Sequence, residues 1–376
     1  MVTSEFPSNL VDVKADWLDA SLRSAGVIGD AKVIGFDSEP IGAGVGVMCD
    51  LYRLRLLYEG DASHAPETVV LKIPVNQEGT RFVARTFRFY EMEVHFYRTA
   101  ARMTPLATPS CYAARHDTET DDFVLVLEEV TGARTYSQVE GCPPHIAEIA
   151  IVALARHHAA FWESKSLETD LGWLPYPWDP PIPAAIQEGT SASLPVFLDG
   201  FDYRFDAHIR DLCERFPAVT GELFYFGEGR PLTFAHGDYH VGNLFFWDDE
   251  VLALDWQFPL RTAGAYDLGY FLSQNLTVED RRAYEEPLID LYLSTLAEEG
   301  VNYPHDKLMI DYRRTLLICL MPQILAGGGM QLVDEALRLV NERLDRVVAA
   351  IHDIASHGHA LIDVSLDVDD GMRRAI

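Results

Sequence analysis

The chain has 376 residues, more than one average domain, and carries 58 acidic against 30 basic side chains for a formal net charge of −28. A surface this acidic repels nucleic acids and anionic membranes, so neither is expected as a partner. With 48% hydrophobic residues, no stretch able to span a bilayer and five scattered cysteines without a CxxC pair, the composition predicts a globular cytoplasmic protein. The acidity serves solubility or favours a cationic substrate.

The N-terminal part of the chain has the pattern of a small sheet with helices beside it. Residues 11–25 place apolar side chains at helical spacing, and this helix is expected to end near Gly26. From 31 to 73 the period changes to two, with polar turns between the runs, which predicts an antiparallel meander. Helical spacing returns over 82–103, and FVLVL at 123–127 predicts a buried strand.

The rest of the chain is mainly helical in pattern. Residues 145–163 predict one strong helix, short apolar runs lie between 232 and 254, and helical spacing continues from 278 almost to the end. We therefore predict an α+β, bilobal fold with two parts. The first is a sheet-rich lobe over residues 1–130, and the second is a larger, mainly helical lobe over residues 131–376.

The candidate catalytic residues lie in one segment, FAHGDYHVGNLFFWDDEVLALDWQ at 234–257. Asn243 follows Asp238 by five residues, and Asp255 ends the apolar run VLAL. Phosphoryl transfer to a hydroxyl requires a carboxylate to orient and accept the proton, oxygen ligands for Mg²⁺, and cations over the phosphates. The spacing matches the protein-kinase pattern H-R-D-x-x-x-x-N followed by an aspartate. It predicts Asp238 as the catalytic base and Asn243 and Asp255 as the magnesium ligands.

These motifs resemble a known superfamily. HGDYHVGN followed by LDWQ is similar to the aminoglycoside phosphotransferase and choline kinase superfamily, and in particular to its ecdysteroid kinase-like branch, whose motif is HGDxWxxN…DFQ. The resemblance includes the segment LVLEEV and the E-x-x-F-Y motif that begins at Glu93. It implies a protein-kinase-like fold and an enzyme that uses ATP and Mg²⁺ to phosphorylate a hydroxyl of a small molecule.

The sequence departs from its relatives at two positions in this segment. Gln257 stands where protein kinases have the DFG glycine, and no APE segment follows, which favours constitutive small-molecule catalysis over regulated protein phosphorylation. His240 takes the place of the tryptophan that is common in the ecdysteroid kinase-like branch. Asp267 resembles the structural aspartate that ties down the catalytic loop, with an N-cap role as the competing interpretation.

A lysine in the apolar strand TVVLKI is the candidate cation for the nucleotide. Alternation puts Val70 and Lys72 on one face of this strand, so Val70 is expected against the adenine. A lysine in such a strand reaches solvent or is buried with an anionic partner, here phosphate and a helix carboxylate. The resemblance makes Glu93 that carboxylate, whereas Glu91 is two residues away and cannot share its helix face. The alternative is a surface lysine on an edge strand.

Two backbone segments are predicted to complete the nucleotide site. Three glycines between predicted strands would let the backbone approach the phosphates, although such a run also occurs in plain turns. At the end of FVLVL, backbone groups would bind the adenine edge, and the choice between ATP and GTP stays open. The glycines are Gly42, Gly44 and Gly46, and the hinge residues are Glu128, Glu129 and Val130.

The acceptor is expected to bind the helical lobe, where aromatic residues concentrate. We interpret most of them as core, while some could line an apolar pocket for a sterol, a macrolide or an acyl-type alcohol. The acidity would instead suit an amino sugar or a choline-like cation. These residues are Phe161, Trp162, Trp173, Tyr176, Trp178, Phe197, Phe201, Tyr203 and Phe205.

Two other functions compete with the kinase. His236, Asp238 and His240 form H-x-D-x-H, which could ligate a metal for a hydrolase. This alternative leaves Lys72 and Glu93 unexplained, and we favour His236 as a residue that shapes the loop. The second competitor is a nucleotide-binding module without catalysis, which the intact set of catalytic residues disfavours.

Overall fold

The computed structural model describes residues 6–42, 48–225, 230–330, 332 and 334–356. The chain divides into two compact units: Met1–Ala133 with Leu252–Phe258, and Arg134–Val251 with Pro259–Ile376. The short segment that carries Asp255 therefore belongs with the N-terminal sheet. Among the described residues, no helix is both long and apolar enough to cross a membrane.

The first unit is built on an antiparallel sheet. In its described residues the sheet has five strands in the order β1-β2-β3-β5-β4, and every neighbouring pair is antiparallel. The meander expected over residues 31–73 is therefore confirmed. The strands are β1 (Lys32–Ile41), β2 (Cys49–Glu59), β3 (Thr68–Pro74), β4 (Cys111–Asp117) and β5 (Asp122–Glu128).

The helices of this unit differ from the sequence pattern in one place. The single run expected over 82–103 is two helices, because Arg88 adopts a left-handed conformation (φ 59°) between them and starts the second one. The helix before β1 ends as expected, with Gly26 at a φ of 76°, a value that suits glycine. The helices are α1 (Ala15–Ser24), α2 (Glu78–Thr86) and α3 (Phe89–Arg98).

Alternation along β3 separates the core from the face that carries the lysine. Val69, Leu71 and Ile73 are buried in one hydrophobic cluster with Leu18 and Leu22 of α1. Each such side chain contributes about 1.5–3 kcal/mol when it is fully removed from water. The opposite face of β3 therefore carries Val70 and the lysine at position 72, as the sequence predicts.

The second unit is mainly helical, and its described residues also contain short strands. β6 (Thr233–Ala235) pairs with β9 (Leu260–Thr262), and β7 (Leu244–Trp247) forms a hairpin with β8 (Glu250–Ala253). Strands β6, β7 and β9 and the start of β8 lie in this unit, whereas the last two residues of β8 belong to the first unit. A 3₁₀ turn, Val241–Asn243, precedes β7. The helices are α4 (Pro144–Phe161), α5 (Ile182–Phe201), α6 (Ala207–Phe224), α7 (Ala265–Asn275), α8 (Val278–Glu298), α9 (His305–Ile318), α10 (Leu320–Gly329) and α11 (Asp334–Ser356). The predicted α+β class is confirmed.

Candidate active site

An ion triad joins β3, α3 and the segment after β8 in the first unit. The Nζ atom of Lys72 is 2.8 Å from the carboxylate of Glu93 and 2.8 Å from Oδ1 of Asp255. The lysine side chain is 8% exposed and that of Glu93 is 1% exposed, whereas Asp255 is 40% exposed. A buried ammonium group requires anionic partners. The two carboxylates therefore explain how this apolar strand can contain a lysine. The helix carboxylate beside Lys72 is Glu93, as the E-x-x-F-Y motif implies.

The triad perturbs the protonation of its members. Burial is the largest influence on Lys72 and would lower its pKa, but Asp255 and Glu93 outweigh it and hold the pKa well above the usual value. Burial raises the pKa of Glu93 to about 7, while Lys72 pulls it down. Lys72 therefore stays cationic despite its burial.

The segment after β8 is fixed to the same group by side chains. Gln257 is buried, and its Nε2 donates a hydrogen bond to Oε2 of Glu93 at 3.2 Å. The indole of Trp256 stacks on Phe96 of α3 with ring centroids 4.0 Å apart. Asp255 itself has a φ of 60°, a conformation that aspartate tolerates better than most residues. In the sequence Gln257 is notable only as the residue that replaces the DFG glycine, and no motif indicates its contact with Glu93.

Of the three candidate phosphate-binding glycines, the structure describes one. Gly42 directly follows β1 with a φ of 68°, and a Cβ added there would lie 3.4 Å from Cδ1 of Leu51. The left-handed conformation explains the glycine at this position. Gly44 and Gly46 lie outside the described residues.

The end of β5 is expected to bind the adenine edge, and some of its polar groups already make hydrogen bonds or ion pairs within the protein. The N–H of Glu128 donates to the carbonyl of Ser110 at 2.8 Å, and its side chain accepts from the Ser110 N–H at 3.1 Å. The carboxylate of Glu129 pairs with Nε of Arg53 at 2.5 Å. An adenine contact would therefore involve the carbonyl of Glu128 or the backbone of Glu129 and Val130.

The loop after β6 holds the candidate base. The side chain of Asp238 is 27% exposed. Its Oδ1 accepts a hydrogen bond from the hydroxyl of Tyr270 at 2.8 Å, and its Oδ2 lies 3.4 Å from Nε2 of His240. Nδ2 of Asn243 donates to the backbone carbonyl of Asp238 at 3.1 Å and to Oδ2 at 3.3 Å. The amide nitrogen is thus committed to Asp238, which leaves the amide oxygen of Asn243 as the atom available to a cation.

Neighbouring charges keep this carboxylate ionised. Burial, the largest influence, raises the pKa of Asp238, but His240, the hydroxyl of Tyr270 and Arg343 together lower it below the usual value. Of these residues, only Asp238 and His240 belong to the motif seen in the sequence. Tyr270 follows Asp267 by one helical turn in AYDLGYFL, and this spacing was the only indication of it in the sequence.

The loop backbone is anchored by a buried aspartate. The carboxylate of Asp267 accepts from the N–H of His236 at 2.7 Å and from the N–H of Gly237 at 2.9 Å, and it lies 3.2 Å from Nε2 of His158. Gly264 caps α7, and Asp267 lies inside the first turn. The N-cap interpretation is therefore wrong, and the carboxylate ties down the loop as the resemblance implies.

The three residues of H-x-D-x-H are not arranged to bind a metal. Nδ1 of His236 accepts from the N–H of Asp238 at 3.3 Å, and Nδ1 of His240 accepts from the N–H of Gly242 at 3.1 Å. Both histidines shape the loop. Within the part of the chain that the structure describes, the one group of carboxylates and histidine with metal-ligand spacing is exposed, and it consists of Glu286, Asp290 and His305.

The nine aromatic residues between 161 and 205 are less buried than expected. Phe161, Phe197 and Phe201 are core residues, whereas Tyr203 is 77% exposed. The other five are partly buried. The expectation that most of them belong to the core therefore holds for three of the nine.

Comparisons with solved structures show the same fold in small-molecule kinases. Choline kinase from Cryptosporidium parvum has a TM-score of 0.52 at 11% identity and covers 88% of this chain and 94% of its own. Amicoumacin kinase hAmiN, in complex with AMP-PNP, Ca²⁺ and amicoumacin, has a TM-score of 0.53 at 12% identity, with 91% and 100% covered. Aminoglycoside 2'-phosphotransferase-IIIa, in complex with GDP, has a TM-score of 0.51 at 14% identity, with 91% and 100% covered.

Family membership follows from the sequence itself. A comparison with curated protein sequences gives no significant match. The model of the ecdysteroid kinase-like family matches residues 44–301, more than half of the chain. The match includes the triad, the loop after β6 and Asp267, and it confirms the resemblance drawn from HGDYHVGN and LDWQ. The chain therefore belongs to the ecdysteroid kinase-like family and has the fold of small-molecule kinases.

Proposed function

We propose that this protein is a kinase that transfers the γ-phosphate of ATP to a hydroxyl group of a small molecule in a magnesium-dependent reaction. The observation that carries the proposal is the ion triad of the buried Lys72 and Glu93 with the partly exposed Asp255. A cation held by a helix carboxylate and by a partly exposed aspartate is the arrangement that protein kinases use for nucleotide phosphates. A purely structural ion pair would not require the second, solvent-facing carboxylate.

The proposed nucleotide contacts follow from this group. Lys72 binds the phosphates, and Glu93 holds the lysine in place. Val70 lies on the same face of β3 and is proposed to contact the adenine. The adenine edge would bind the carbonyl of Glu128 or the backbone of Glu129 and Val130. Gly42, with Gly44 and Gly46, is proposed to let the backbone approach the phosphates.

Asn243 and Asp255 fit the donor set of a magnesium ion. Both hydrogen bonds from Asn243 to Asp238 use the amide nitrogen, so the amide oxygen can face a cation. The side chain of Asp255 is 40% exposed. Amide and carboxylate oxygens are hard donors of the kind that Mg²⁺ prefers. When bound, the metal would neutralise the negative charge on the phosphates.

Asp238 is proposed as the base that receives the proton of the acceptor hydroxyl. As the acceptor oxygen forms its bond to the γ-phosphorus, the bond to the β-phosphate oxygen breaks and ADP leaves. The ionised carboxylate, held by Tyr270 and Asn243, orients the hydroxyl and takes its proton. The loop backbone that carries it is fixed by Asp267.

The acceptor is proposed to be a hydroxylated small molecule. The similar structures include kinases of choline and amicoumacin and an aminoglycoside phosphotransferase, so alcohols of several chemical classes belong in the test. The net charge of −28 favours cationic members of this set.

The test is release of ADP or GDP across an alcohol panel of choline, ethanolamine, kanamycin and a polyhydroxylated sterol, with ATP and GTP and with or without Mg²⁺. We expect magnesium-dependent turnover and a fall in kcat of about 10²–10⁴-fold for Asp238→Asn, with MgATP binding retained. Asp248→Asn, at a fully exposed aspartate in the β7–β8 turn, is the matched control. An Asp238→Asn enzyme with full kcat excludes the proposed base. MgATP binding without turnover on any alcohol would identify a nucleotide-binding module instead.

A further inference from the structure

The two oxygens of the Asp238 carboxylate have different partners. Oδ1 accepts the hydrogen bond from Tyr270 at 2.8 Å. Oδ2 faces nitrogen atoms of Asn243 at 3.3 Å and His240 at 3.4 Å. Both of those contacts are longer than the bond to the tyrosine. The carboxylate is therefore anchored through one oxygen and more weakly held at the other.

The anchor belongs to the helix that also fixes the loop backbone. Tyr270 and Asp267 are three residues apart on α7, so they lie on one face of the helix. Asp267 holds the N–H groups of His236 and Gly237, and Tyr270 holds the carboxylate of the next residue, Asp238. One helical turn thus sets the position of both the backbone and the side chain.

The direction of the tyrosine hydrogen bond is fixed by an arginine from α11. Nη2 of Arg343 donates to the hydroxyl of Tyr270 at 3.1 Å, and its Nε donates to Oε1 of Gln274 at 2.6 Å. A guanidinium can only donate, so the tyrosine oxygen accepts from it. The single hydroxyl proton of Tyr270 is then committed to Asp238. The arginine also lies 5.9 Å from the centroid of the tyrosine ring.

We propose that Tyr270 is a positioning residue that holds Oδ1 of Asp238 and so presents Oδ2 as the oxygen that receives the acceptor proton, and that Arg343 keeps the Tyr270 hydroxyl aimed at Asp238. This inference rests on the proposed function, in which Asp238 is the base. Holding one oxygen removes the rotation that would exchange the two oxygens, and misplacement of a reacting group by 1 Å can cost about 10²-fold in rate. The arrangement contributes to the chemical step and not to nucleotide binding.

The test compares three variants in steady-state assays with MgATP, using water as the acceptor and any alcohol of the panel that is phosphorylated. Tyr270→Phe should lower kcat by about 10–100-fold and leave the KM for MgATP within about twofold, because only the orientation of the base changes. Tyr284→Phe removes an exposed hydroxyl from α8 and serves as the control with unchanged kcat. Arg343→Met should lower kcat less than Tyr270→Phe does.

A double-mutant cycle separates positioning from general damage to the fold. If Arg343 acts through Tyr270, Arg343→Met should have little further effect on kcat in the Tyr270→Phe background. Independent, multiplicative losses overturn the role of Arg343. Unchanged kcat in Tyr270→Phe, or a matching loss of MgATP affinity, overturns the role of Tyr270 while Asp238→Asn still tests the base. No turnover by the wild type with water or any alcohol overturns the proposed function and this inference with it.

Discussion

Gln257 donates a hydrogen bond to the Glu93 carboxylate at 3.2 Å, so the residue two positions after Asp255 is attached to the carboxylate that pairs with Lys72. Asp255 reaches the same ion pair through the lysine. The segment after β8 is therefore bound to the Lys72–Glu93 ion pair at two points, by Asp255 to the lysine and by Gln257 to the glutamate. A glycine, which protein kinases have at the position of Gln257, offers no such contact.

Loss of this contact should weaken nucleotide use. In Gln257→Ala, one oxygen of the buried Glu93 loses a donor, at a cost of about 1–3 kcal/mol. Because Glu93 holds Lys72, we expect kcat/KM for MgATP to fall by roughly tenfold, which corresponds to about 1.4 kcal/mol. Gln257→Glu should be worse, since it places a second negative charge beside Glu93. The measurement is steady-state kinetics at varied MgATP.

Gln77→Ala is the control, because Gln77 is exposed in the same unit. If Gln257→Ala kept its kcat/KM for MgATP, the contact with Glu93 would have no part in placing Lys72. Equal effects of the alanine and glutamate variants would point to lost packing and not to the hydrogen bond.

The pairing of Lys72 with Glu93 could be predicted from the sequence, whereas the contact of Gln257 could not. Strand alternation indicates Lys72 in β3, and the E-x-x-F-Y motif indicates Glu93 in α3. A buried lysine requires a carboxylate partner, so the two are expected to pair. A glutamine has no comparable demand, because its amide is satisfied by water or by many partners. Its partner is set by how Trp256 packs on Phe96, and packing is not encoded in spacing.

Asp255→Asn should abolish turnover and leave the fold intact. Asparagine tolerates the left-handed backbone at this position, so the substitution removes the charge with little strain. The variant loses a partner of Lys72 and the proposed magnesium ligand, and we expect kcat to fall by at least about 10²-fold. Initial rates across a magnesium titration provide the measurement. Asp248→Asn, at another left-handed aspartate, is the control, and a near-normal kcat for Asp255→Asn would remove Asp255 from the site.

Asp267→Asn should destabilise the protein and lower kcat together. The carboxylate accepts from two backbone N–H groups, and an amide can accept only through its one oxygen. One buried N–H is then left facing an NH₂ group, for an expected loss of about 3 kcal/mol in the free energy of unfolding. Urea unfolding gives this value, with the exposed Asp290→Asn as the control. A loss below about 0.5 kcal/mol would contradict the anchoring role.

The helix break at Arg88 and the role of Asp267 could not be predicted from residue spacing alone. Neither glycine nor proline marks the break, and an arginine in a left-handed conformation is uncommon, so the apolar spacing predicts a continuous helix. For Asp267, the cap and the loop anchor both place a carboxylate at the start of a helix. Only the contacts with His236 and Gly237 distinguish them.

A second buried carboxylate, Asp311 on α9, has no part in the proposed reaction. It is fully buried, and among the described residues neither of its oxygens has a hydrogen-bond partner. Nε of Arg230 lies 3.6 Å from it and Nη1 of Arg314 lies 3.8 Å from it. Burial raises the pKa of Asp311 to about 6, and the two arginines oppose this only in part.

This carboxylate should make stability fall as pH rises. Its ordinary pKa is 3.8, so between that value and about 6 the folded state holds a proton that the unfolded state has released. The stabilisation is complete below the lower value and is lost as pH rises through about 6, for a total of up to roughly 3 kcal/mol. Asp311→Asn cannot titrate, so its free energy of unfolding relative to that of the wild type should rise by about 2 kcal/mol between pH 4.5 and 7.5, because the rest of the change lies below pH 4.5. Urea unfolding at both pH values tests this, with Asp290→Asn as the control, and a difference that does not change with pH would show that Asp311 is ionised throughout the range.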